Sequence, residues 1–364
     1  MTSRRQFIAG LAAWISGPAW ARAANAGMRT DIQLAASWQS RNAYQTGVLA
    51  RAASGEALTI YAAVDVPTRA HGLLLERDGT IITVARRPGN WLLRWTREGK
   101  PLAWHWIEPN RAFAGHVLAS ADGSTLYTTE INLETGSGMI GVRDAASLEK
   151  REEWPTRGID PHQLVWDVTH PGSLIVANGG VPTRPETGRI KHNLDHMDSS
   201  LVRLDGRTGA LLGQWQLEDS RLSLRHLAWN ISVHNQPVLG IALQAEHNTT
   251  EQKSAAPVLA LFDGEKLRTV STPHTLAGYG GDIAMRGSSF VVSCPRVNSI
   301  EIFDVRGTWR GHVSLPEACA LAPAAQSIVA GGRHQAIGLQ MTDSDHANEM
   351  TIPAFRLDNH WIAI

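Results

Sequence analysis

The sequence predicts an all-β fold, a seven-bladed β-propeller whose ring is closed by the C-terminal strand together with strands from near the N-terminus. Short apolar runs separated by Gly, Pro, Asp and Asn turns dominate the chain, and no long amphipathic helical stretch follows the N-terminal segment. One pattern, a polar residue that opens an apolar run, recurs at positions 71, 116, 162, 226, 282, 319 and 360. The chain then ends on a single strand that has no neighbour in sequence.

The clearest repeat unit covers residues 71–106. Its predicted strands are 71–75, 80–85, 91–96 and 101–106. Turn sequences such as Arg77-Asp78-Gly79 separate these strands. Four short strands joined by tight turns form an antiparallel meander, which is the unit of a propeller blade and typically takes about 40–50 residues.

The remaining units follow the same plan with different lengths. They run over 116–154, 162–217 with an insertion at 181–198, 226–270, 282–315 and 319–341. The seventh blade is predicted to combine an innermost C-terminal strand, 360–364, with two N-terminal strands, 44–50 and 57–64. Such closure removes exposed sheet edges. The alternative of two separate β-sandwiches leaves the last strand without a sheet.

Composition and charge restrict the class of partner. The 364 residues are 43% hydrophobic and 19% charged, as in ordinary globular proteins. Lys and Arg together number 34, the same as Asp and Glu, so the formal net charge is zero. This balance argues against nucleic-acid binding and against electrostatic docking on anionic membranes. The two cysteines, Cys294 and Cys319, leave a single disulfide open, and there is no haem-attachment motif.

The N-terminus has the features of an export signal. A twin-arginine motif, Ser3-Arg4-Arg5-Gln6-Phe7-Ile8, precedes a short apolar segment, 8–17, and small residues that suit cleavage after Ala21 or Ala23. About ten apolar residues is half of what a bilayer requires, so this segment is not predicted to span a membrane. No cysteine follows it, and we expect no lipoprotein anchor. The sequence therefore predicts a Tat signal peptide at 1–23, a propeller at 24–364 and a periplasmic location.

A set of motifs is spread between residue 60 and the C-terminus. They are Leu126-Tyr127-Thr128-Thr129-Glu130, Gly158-Ile159-Asp160-Pro161-His162, Ile175-Val176-Ala177-Asn178-Gly179-Gly180, Pro185-Glu186-Thr187-Gly188-Arg189, Ser200-Leu201-Val202, Ser223-Leu224-Arg225-His226-Leu227-Ala228, Cys319 and Asp358-Asn359-His360. Together they resemble a known family, an uncharacterised group of Tat-exported bacterial propellers found beside imelysin-type iron-regulated periplasmic proteins. The resemblance implies a periplasmic seven-bladed propeller linked to iron or metal uptake, with an iron-uptake protein as partner. In place of a loop histidine expected before Pro185, this chain has Arg184.

The residues that open the inner strands are the candidate metal ligands, because this position in a propeller faces the axial channel. They are His71, His116, His162, His226, His360, Asp282 and Cys319. Neutral imidazole binds Zn, Cu, Fe and Ni, and only a narrowed channel end would let several imidazoles meet. The alternative is structural: a histidine at a blade start can hydrogen-bond neighbouring backbone, as in the Gly-His of WD repeats.

Other side chains are candidates for binding an anionic ligand. Arg69, Arg111 and Arg225 lie beside blade openings and suit a haem propionate or a siderophore carboxylate. Alternatively, they pair with carboxylates at the rim. In the insertion, His192 and His196 have the spacing of ligands on one helical turn, although a solvated loop over a channel mouth explains them equally well.

Three hypotheses follow for function. The first is a metal-binding or metal-ligand-binding protein of iron acquisition, with iron, copper or haem as the cofactor to consider. The second is a metal-dependent oxidoreductase that uses the same histidines. The third is a metal-free scaffold that docks a partner on one face. Motifs of serine hydrolases, zinc proteases and P-loop enzymes are missing from the sequence, and propellers carry many unrelated functions.

Overall fold

The computed structural model describes nearly all of the chain from residue 30 onward. It describes residues 30–41, 43–52, 57–183, 191, 193–231, 236–324, 327–340, 347–352 and 355–364. The predicted signal peptide, Arg184 and His192 lie outside this part. The described residues form seven four-stranded antiparallel sheets arranged as a β-propeller, which confirms the predicted fold. Within these ranges, no helix is long and apolar enough to cross a bilayer.

Blades 1 and 2 match the predicted meanders closely. Each has its first strand innermost and its fourth outermost. Blade 1 consists of β4 (Ala70–Leu75), β5 (Ile81–Ala85), β6 (Trp91–Trp95) and β7 (Pro101–Trp106). Blade 2 consists of β8 (Arg111–Ala119), β9 (Thr125–Asn132), β10 (Ser137–Asp144) and β11 (Lys150–Ile159).

Blades 3 to 6 repeat this arrangement. Blade 3 contains β12 (Pro161–Trp166), β13 (Ser173–Asn178), β14 (Ser200–Asp205) and β15 (Leu211–Trp215), and blade 4 contains β16 (Leu222–Asn230), β17 (Val238–Ala245), β18 (Leu259–Phe262) and β19 (Leu267–Thr269). Blade 5 contains β20 (Ile283–Arg286), β21 (Ser289–Cys294), β22 (Ser299–Asp304) and β23 (Trp309–Ser314), and blade 6 contains β24 (Ala320–Pro323), β25 (Ile328–Gly331), β26 (Gln335–Leu339) and β27 (Ala347–Thr351). A short helix, α1 (Thr250–Ala255), lies in blade 4 between β17 and β18.

Blade 7 joins the two ends of the chain. Its strand order is β28 (Arg356–Ala363), β1 (Thr30–Gln39), β2 (Tyr44–Ala52) and β3 (Leu58–Val66), with β28 innermost. The predicted closure is confirmed, but the prediction of two N-terminal strands was wrong because it omitted β1. Both faces of β1 are buried, against blade 6 through Leu34 and against blade 1 through Ala35, so the strand has no apolar–polar alternation.

The hydrophobic core is divided among the seven junctions between blades. Each junction holds one cluster of buried apolar side chains from two adjacent blades. Sheets that pack face to face in a closed ring place one edge strand of each sheet nearest the axis. The inner strands β4, β8, β12, β16, β20, β24 and β28 accordingly contact one another in sequence around the ring. This arrangement brings residues hundreds of positions apart onto one axis.

Candidate metal centre

Five of the predicted ligands meet at the propeller axis. His71, His116, His162, His226 and His360 lie on β4, β8, β12, β16 and β28, the inner strands of blades 1, 2, 3, 4 and 7. All five side chains are buried or nearly so, with 3–9% of each residue exposed. The expectation that each histidine would open its strand was wrong for several of them. His116 and His226, for example, lie in the middle of nine-residue strands.

A local interruption of strand pairing accompanies every one of these histidines. The ladder shifts register between Ala70 and Leu73 around His71, and between Phe113 and Val117 around His116. The shifts around His162, His226 and His360 fall between 161 and 164, 224 and 227, and 357 and 361. Bulges of this kind bend a strand and redirect a side chain. In a regular strand, successive side chains point to opposite faces of the sheet. Here a bulge accompanies each imidazole that reaches the axis.

Two glycines allow the inner strands of blades 1 and 2 to approach closely beside the imidazoles. A Cβ on Gly72 would lie 2.3 Å from the carbonyl oxygen of Gly115, and one on Gly115 would lie 2.7 Å from Cδ2 of His71. Gly115 also has a φ of +117°, a backbone conformation that L side chains rarely adopt. Substitution at either position would push His71 and His116 apart.

The nitrogen atoms of four histidines are close enough to share a metal ion. One ring nitrogen from each of His71, His116, His162 and His226 lies within 4.8 Å of the other three. Ligand nitrogens around a tetrahedral ion are separated by about 3.3 Å, given metal–nitrogen bonds of about 2.0–2.1 Å. Small side-chain rotations would therefore convert the cluster into a coordination shell. The axis is narrow enough for several imidazoles to meet, which is the condition that a shared site requires.

The electrostatic environment keeps these four imidazoles neutral. The pKa values of His71, His116, His162 and His226 all lie well below the ordinary value of 6.5, first because burial disfavours the charged ring. Repulsion between the rings lowers these pKa values further, because a proton on one imidazole disfavours a proton on the next: His360 lowers the pKa values of His71, His116 and His226, and His226 lowers that of His162. A neutral imidazole is the form that coordinates a metal ion.

Several ring nitrogens in the cluster have no hydrogen-bond partner among the described residues. Nδ1 of His71, Nε2 of His116, Nδ1 of His162 and Nε2 of His360 are buried without a hydrogen-bond partner there. Buried polar atoms are normally satisfied, and an orphaned nitrogen costs stability. The alternative that each histidine ties blades together through backbone hydrogen bonds leaves these atoms unexplained. A shared ion would take one nitrogen from each ring, and at His162 that nitrogen is Nε2, which lies 2.9 Å from Nε2 of His226.

The other three predicted ligands take different positions. His360 stacks edge-on against His226 with ring centroids 4.4 Å apart, and its Nδ1 lies 3.3 Å from Oδ2 of Asp282. The carboxylate of Asp282 accepts hydrogen bonds from the backbone N–H groups of Ile283 and Leu321. These bonds fix the carboxylate beside the His360 ring. Cys319 lies beside this pair but outside the four-histidine group. Burial raises the pKa of its thiol to about 12, and Cys294 and Cys319 are both free thiols.

Comparison with known proteins identifies the family. The model of the family described as protein of unknown function (DUF1513) matches residues 64–364. The chain belongs to this family. The comparison with curated proteins found no match.

Solved structures share the fold at low sequence identity. Virginiamycin B lyase from Staphylococcus aureus is 12% identical, with a TM-score of 0.57 over 80% of this chain and 92% of the other. Kuenenia stuttgartiensis hydrazine synthase is 12% identical, with a TM-score of 0.55 over 84% and 92%. Apo AztD from Citrobacter koseri is 12% identical, with a TM-score of 0.51 over 92% and 98%. At this identity the likeness shows a propeller fold alone.

The three predicted arginines all pair with carboxylates in this family member. Arg69 holds Asp358 through two hydrogen bonds, from Nε at 2.5 Å and Nη2 at 2.7 Å, and Arg111 holds Glu153 in the same way. Arg225 is 1% exposed and lies 2.9 Å from Oδ2 of Asp160. The alternative of carboxylate pairing therefore describes all three, and binding of a ligand by them stays a prediction.

The sequence analysis did not identify Asp160 as a functional residue, although it lies in the Gly-Ile-Asp-Pro-His motif. Its carboxylate pairs with Arg225 from blade 4 and with Arg87 from blade 1, and it is 3% exposed. Its φ of +53° is a left-handed conformation that Asp tolerates better than most residues. Asp160 thus joins three blades two residues before His162 and beside His226. The position of Asp160 two residues before His162 in this motif is the sequence feature that could have identified it.

The blade 3 insertion is exposed at Lys191 and His196, while Val181 and Met197 within it are buried. Leu194–His196 form one short helical turn, and His196 is exposed. Lys191 reaches back to Glu246 at 2.5 and 2.6 Å, and Arg221 pairs with Asp195. Because His192 lies outside the described residues, the His192–His196 ligand pair stays a prediction.

Proposed function

We propose that this protein binds a divalent first-row transition metal ion on the propeller axis, with His71, His116, His162 and His226 as ligands. The observation that carries the proposal is the convergence of four buried, neutral imidazoles whose nitrogens lie within 4.8 Å of one another. Their strands belong to four different blades, so the site exists only when these blades are packed around the axis. His360, whose Nδ1 lies 3.3 Å from Oδ2 of Asp282, is the adjacent fifth imidazole.

The donor set favours certain ions. Imidazole nitrogen suits Zn²⁺, Cu²⁺, Fe²⁺ and Ni²⁺, whereas Ca²⁺ and Mg²⁺ prefer oxygen. The nearby thiol of Cys319 stays protonated because burial raises its pKa to about 12, so it adds no soft ligand in the resting protein. A set of ligands that are all imidazoles fits an ion that the protein carries or stores, as well as one that cycles between oxidation states.

The physiological role that fits these features is the handling of iron or another metal ion in the periplasm. Support comes from the twin-arginine motif at the N-terminus and from the resemblance to propellers found beside iron-regulated periplasmic proteins. We further propose an iron-uptake protein of the same compartment as the partner. The zero formal net charge is compatible with a protein partner and offers no basis for nucleic-acid binding.

The test is the metal content of the protein purified without a polyhistidine tag, and after loading with Fe²⁺, Cu²⁺ and Zn²⁺ in turn. We expect about one ion per chain in the wild type and none in a His162→Ala/His226→Ala variant. A His170→Ala/His334→Ala variant is the matched control, since both of those histidines are exposed. A His116→Gln variant tests the same site with less loss of volume.

Three outcomes separate the hypotheses. A stoichiometric ion in the wild type that is lost in folded variants supports the proposal. Redox turnover by the loaded protein would direct attention to a metal-dependent oxidoreductase. If the wild-type protein holds no metal ion after any of the loading conditions, the proposal is contradicted. The remaining hypothesis is then a scaffold that docks a partner.

A further inference from the structure

The charges around the histidine cluster do not balance a divalent ion. The four proposed ligands are neutral, so they contribute no negative charge. The charge of Arg86 acts on His71, and the charge of Arg225 acts on His162 and His226. Of the buried carboxylates nearby, Asp160 is already paired with Arg225 and Arg87, which leaves Asp282. Buried charge is costly unless compensated, so a bound cation here calls for an additional anion.

A cavity at the same end of the inner strands has the chemistry to hold that anion. Its volume is about 260 Å³, and its lining includes Arg69, Arg86, Arg333, Tyr279, Cys319 and Asp358. Three arginines and two carboxylates line it, and two ion pairs join them: Arg69 with Asp358, and Arg333 with Glu317 at 3.0 Å. The cavity is smaller than the roughly 300–1,000 Å³ of sites for drug-sized ligands. That size suits a small oxyanion better than a haem or a siderophore.

Backbone pairing places this cavity next to the metal ligands. Arg69 and Asp358 each lie two residues before a cluster histidine, His71 and His360 respectively, and the two are joined by their ion pair. The backbone N–H of Arg86 donates to the carbonyl oxygen of Arg69 at 2.9 Å, which holds the two arginines side by side.

The opposite wall of the cavity reaches the cluster as well. The carbonyl oxygen of Cys319 accepts a hydrogen bond from Oγ of Ser293 at 2.6 Å, and that hydroxyl accepts one from the backbone N–H of Asp282 at 2.8 Å. Asp282 in turn contacts His360. The cavity and the imidazoles therefore share one framework of inner strands.

We propose that the cavity lined by Arg69, Arg86 and Arg333 binds a small oxyanion of the carboxylate or carbonate class, and that this anion and the axial metal ion bind cooperatively. Guanidinium groups recognise such oxygens with two parallel hydrogen bonds. The inference rests on the proposed function, because the ion supplies the charge that the anion balances. The anion would bind more weakly in the metal-free protein, and the metal ion more weakly without the anion.

The experiment measures Co²⁺ affinity of the full mature chain by titration calorimetry and by the visible spectrum of the bound ion. Buffers contain chloride alone, or bicarbonate, acetate or phosphate at matched ionic strength. We expect at least one carboxylate or carbonate arm to tighten Co²⁺ binding by about tenfold or more. A tightening confined to the phosphate arm would overturn the assignment of the anion class.

Variants locate the effect. Neither Arg86→Gln nor, separately, Arg333→Gln at the rim should weaken Co²⁺ binding in chloride, because each removes a positive charge, and each should lose most of the gain from the oxyanion. Arg207→Gln, an exposed arginine away from the cavity, should behave like the wild type. An anion effect that survives both cavity variants, or a wild-type affinity that no oxyanion changes, would overturn the inference while leaving metal binding intact. Failure to bind Co²⁺, Zn²⁺ or Cu²⁺ in any buffer would instead overturn the proposed function.

Discussion

The Nε2 atoms of His162 and His226 lie 2.9 Å apart in the protein, although 64 residues separate the two histidines in sequence. At this distance one ring donates its N–H and the other accepts, which requires at least one neutral imidazole. An ion that took both nitrogens would replace this hydrogen bond and widen the gap to about 3.3 Å. The metal-free protein therefore holds its ligands close to where a metal ion needs them.

Stability of the metal-free protein should fall as the pH drops from 7 to 5. Below about 6.5 the unfolded chain protonates its histidines, whereas the folded chain resists because burial depresses the pKa values of His71, His116, His162 and His226. The unfolded state then binds more protons, so the free energy of unfolding decreases with falling pH, by about 1.4 kcal/mol per pH unit for each histidine. Urea denaturation across this range measures the slope.

A single substitution tests the origin of that slope. His116→Gln should reduce it by about one proton, because His116 is buried and faces His71, His162, His226 and His360. His170→Gln, at an exposed position, should retain the wild-type slope. Equal slopes in all three proteins would show that the buried cluster is not responsible.

Asp160→Asn should destabilise the protein by about 3–5 kcal/mol, because it leaves the guanidinium of Arg225 buried without its carboxylate. Asn tolerates the left-handed backbone conformation at this position, so the loss of charge is the main change. The matched control is Asp195→Asn, since the Asp195 side chain is 82% exposed and its pair with Arg221 should contribute at most about 1 kcal/mol. Similar urea midpoints for the two variants would contradict the importance of the buried pair.

Trp361→Ala should weaken the closure of the ring. Trp361 is 2% exposed on β28 and packs in the cluster between blades 6 and 7. Truncating a buried Trp costs about 3–5 kcal/mol, whereas Leu212→Ala, at a residue that is 47% exposed, should cost less than about 0.5 kcal/mol. Thermal or urea unfolding compares the two. A Trp361→Ala variant as stable as the wild type would mean that β28 contributes little to closure.

Both cysteines should be reduced and unreactive in the folded protein. Burial raises the pKa of Cys319 to about 12 and that of Cys294 further above its ordinary range, so almost no thiolate exists at pH 8. A thiol reagent should label neither residue quickly in native protein and should label two thiols per chain after denaturation without reductant. Fewer than two labelled thiols would reveal a disulfide.

The blade pattern was predictable from the sequence because it depends on local chemistry. Turn residues such as Asp78-Gly79 and Asp122-Gly123 mark strand ends, and each blade buries apolar side chains against its neighbours. The strand β1 was not predictable in the same way, because its two buried faces remove the alternation that identifies a strand. Only its pairing with β2 and β28 in the folded ring identifies it as a strand.

The sequence by itself determined the seven-bladed ring, its closure by the last strand and the identity of the five axial histidines, since these follow from a repeated pattern along the chain. The tertiary structure decided how those histidines meet. The buried pairing of Asp160 with Arg87 and Arg225 and the arginine-lined cavity depend on contacts between blades, as does the meeting of the imidazoles themselves. Such contacts are set by the shape of the closed ring, and no local pattern in the sequence encodes their distances.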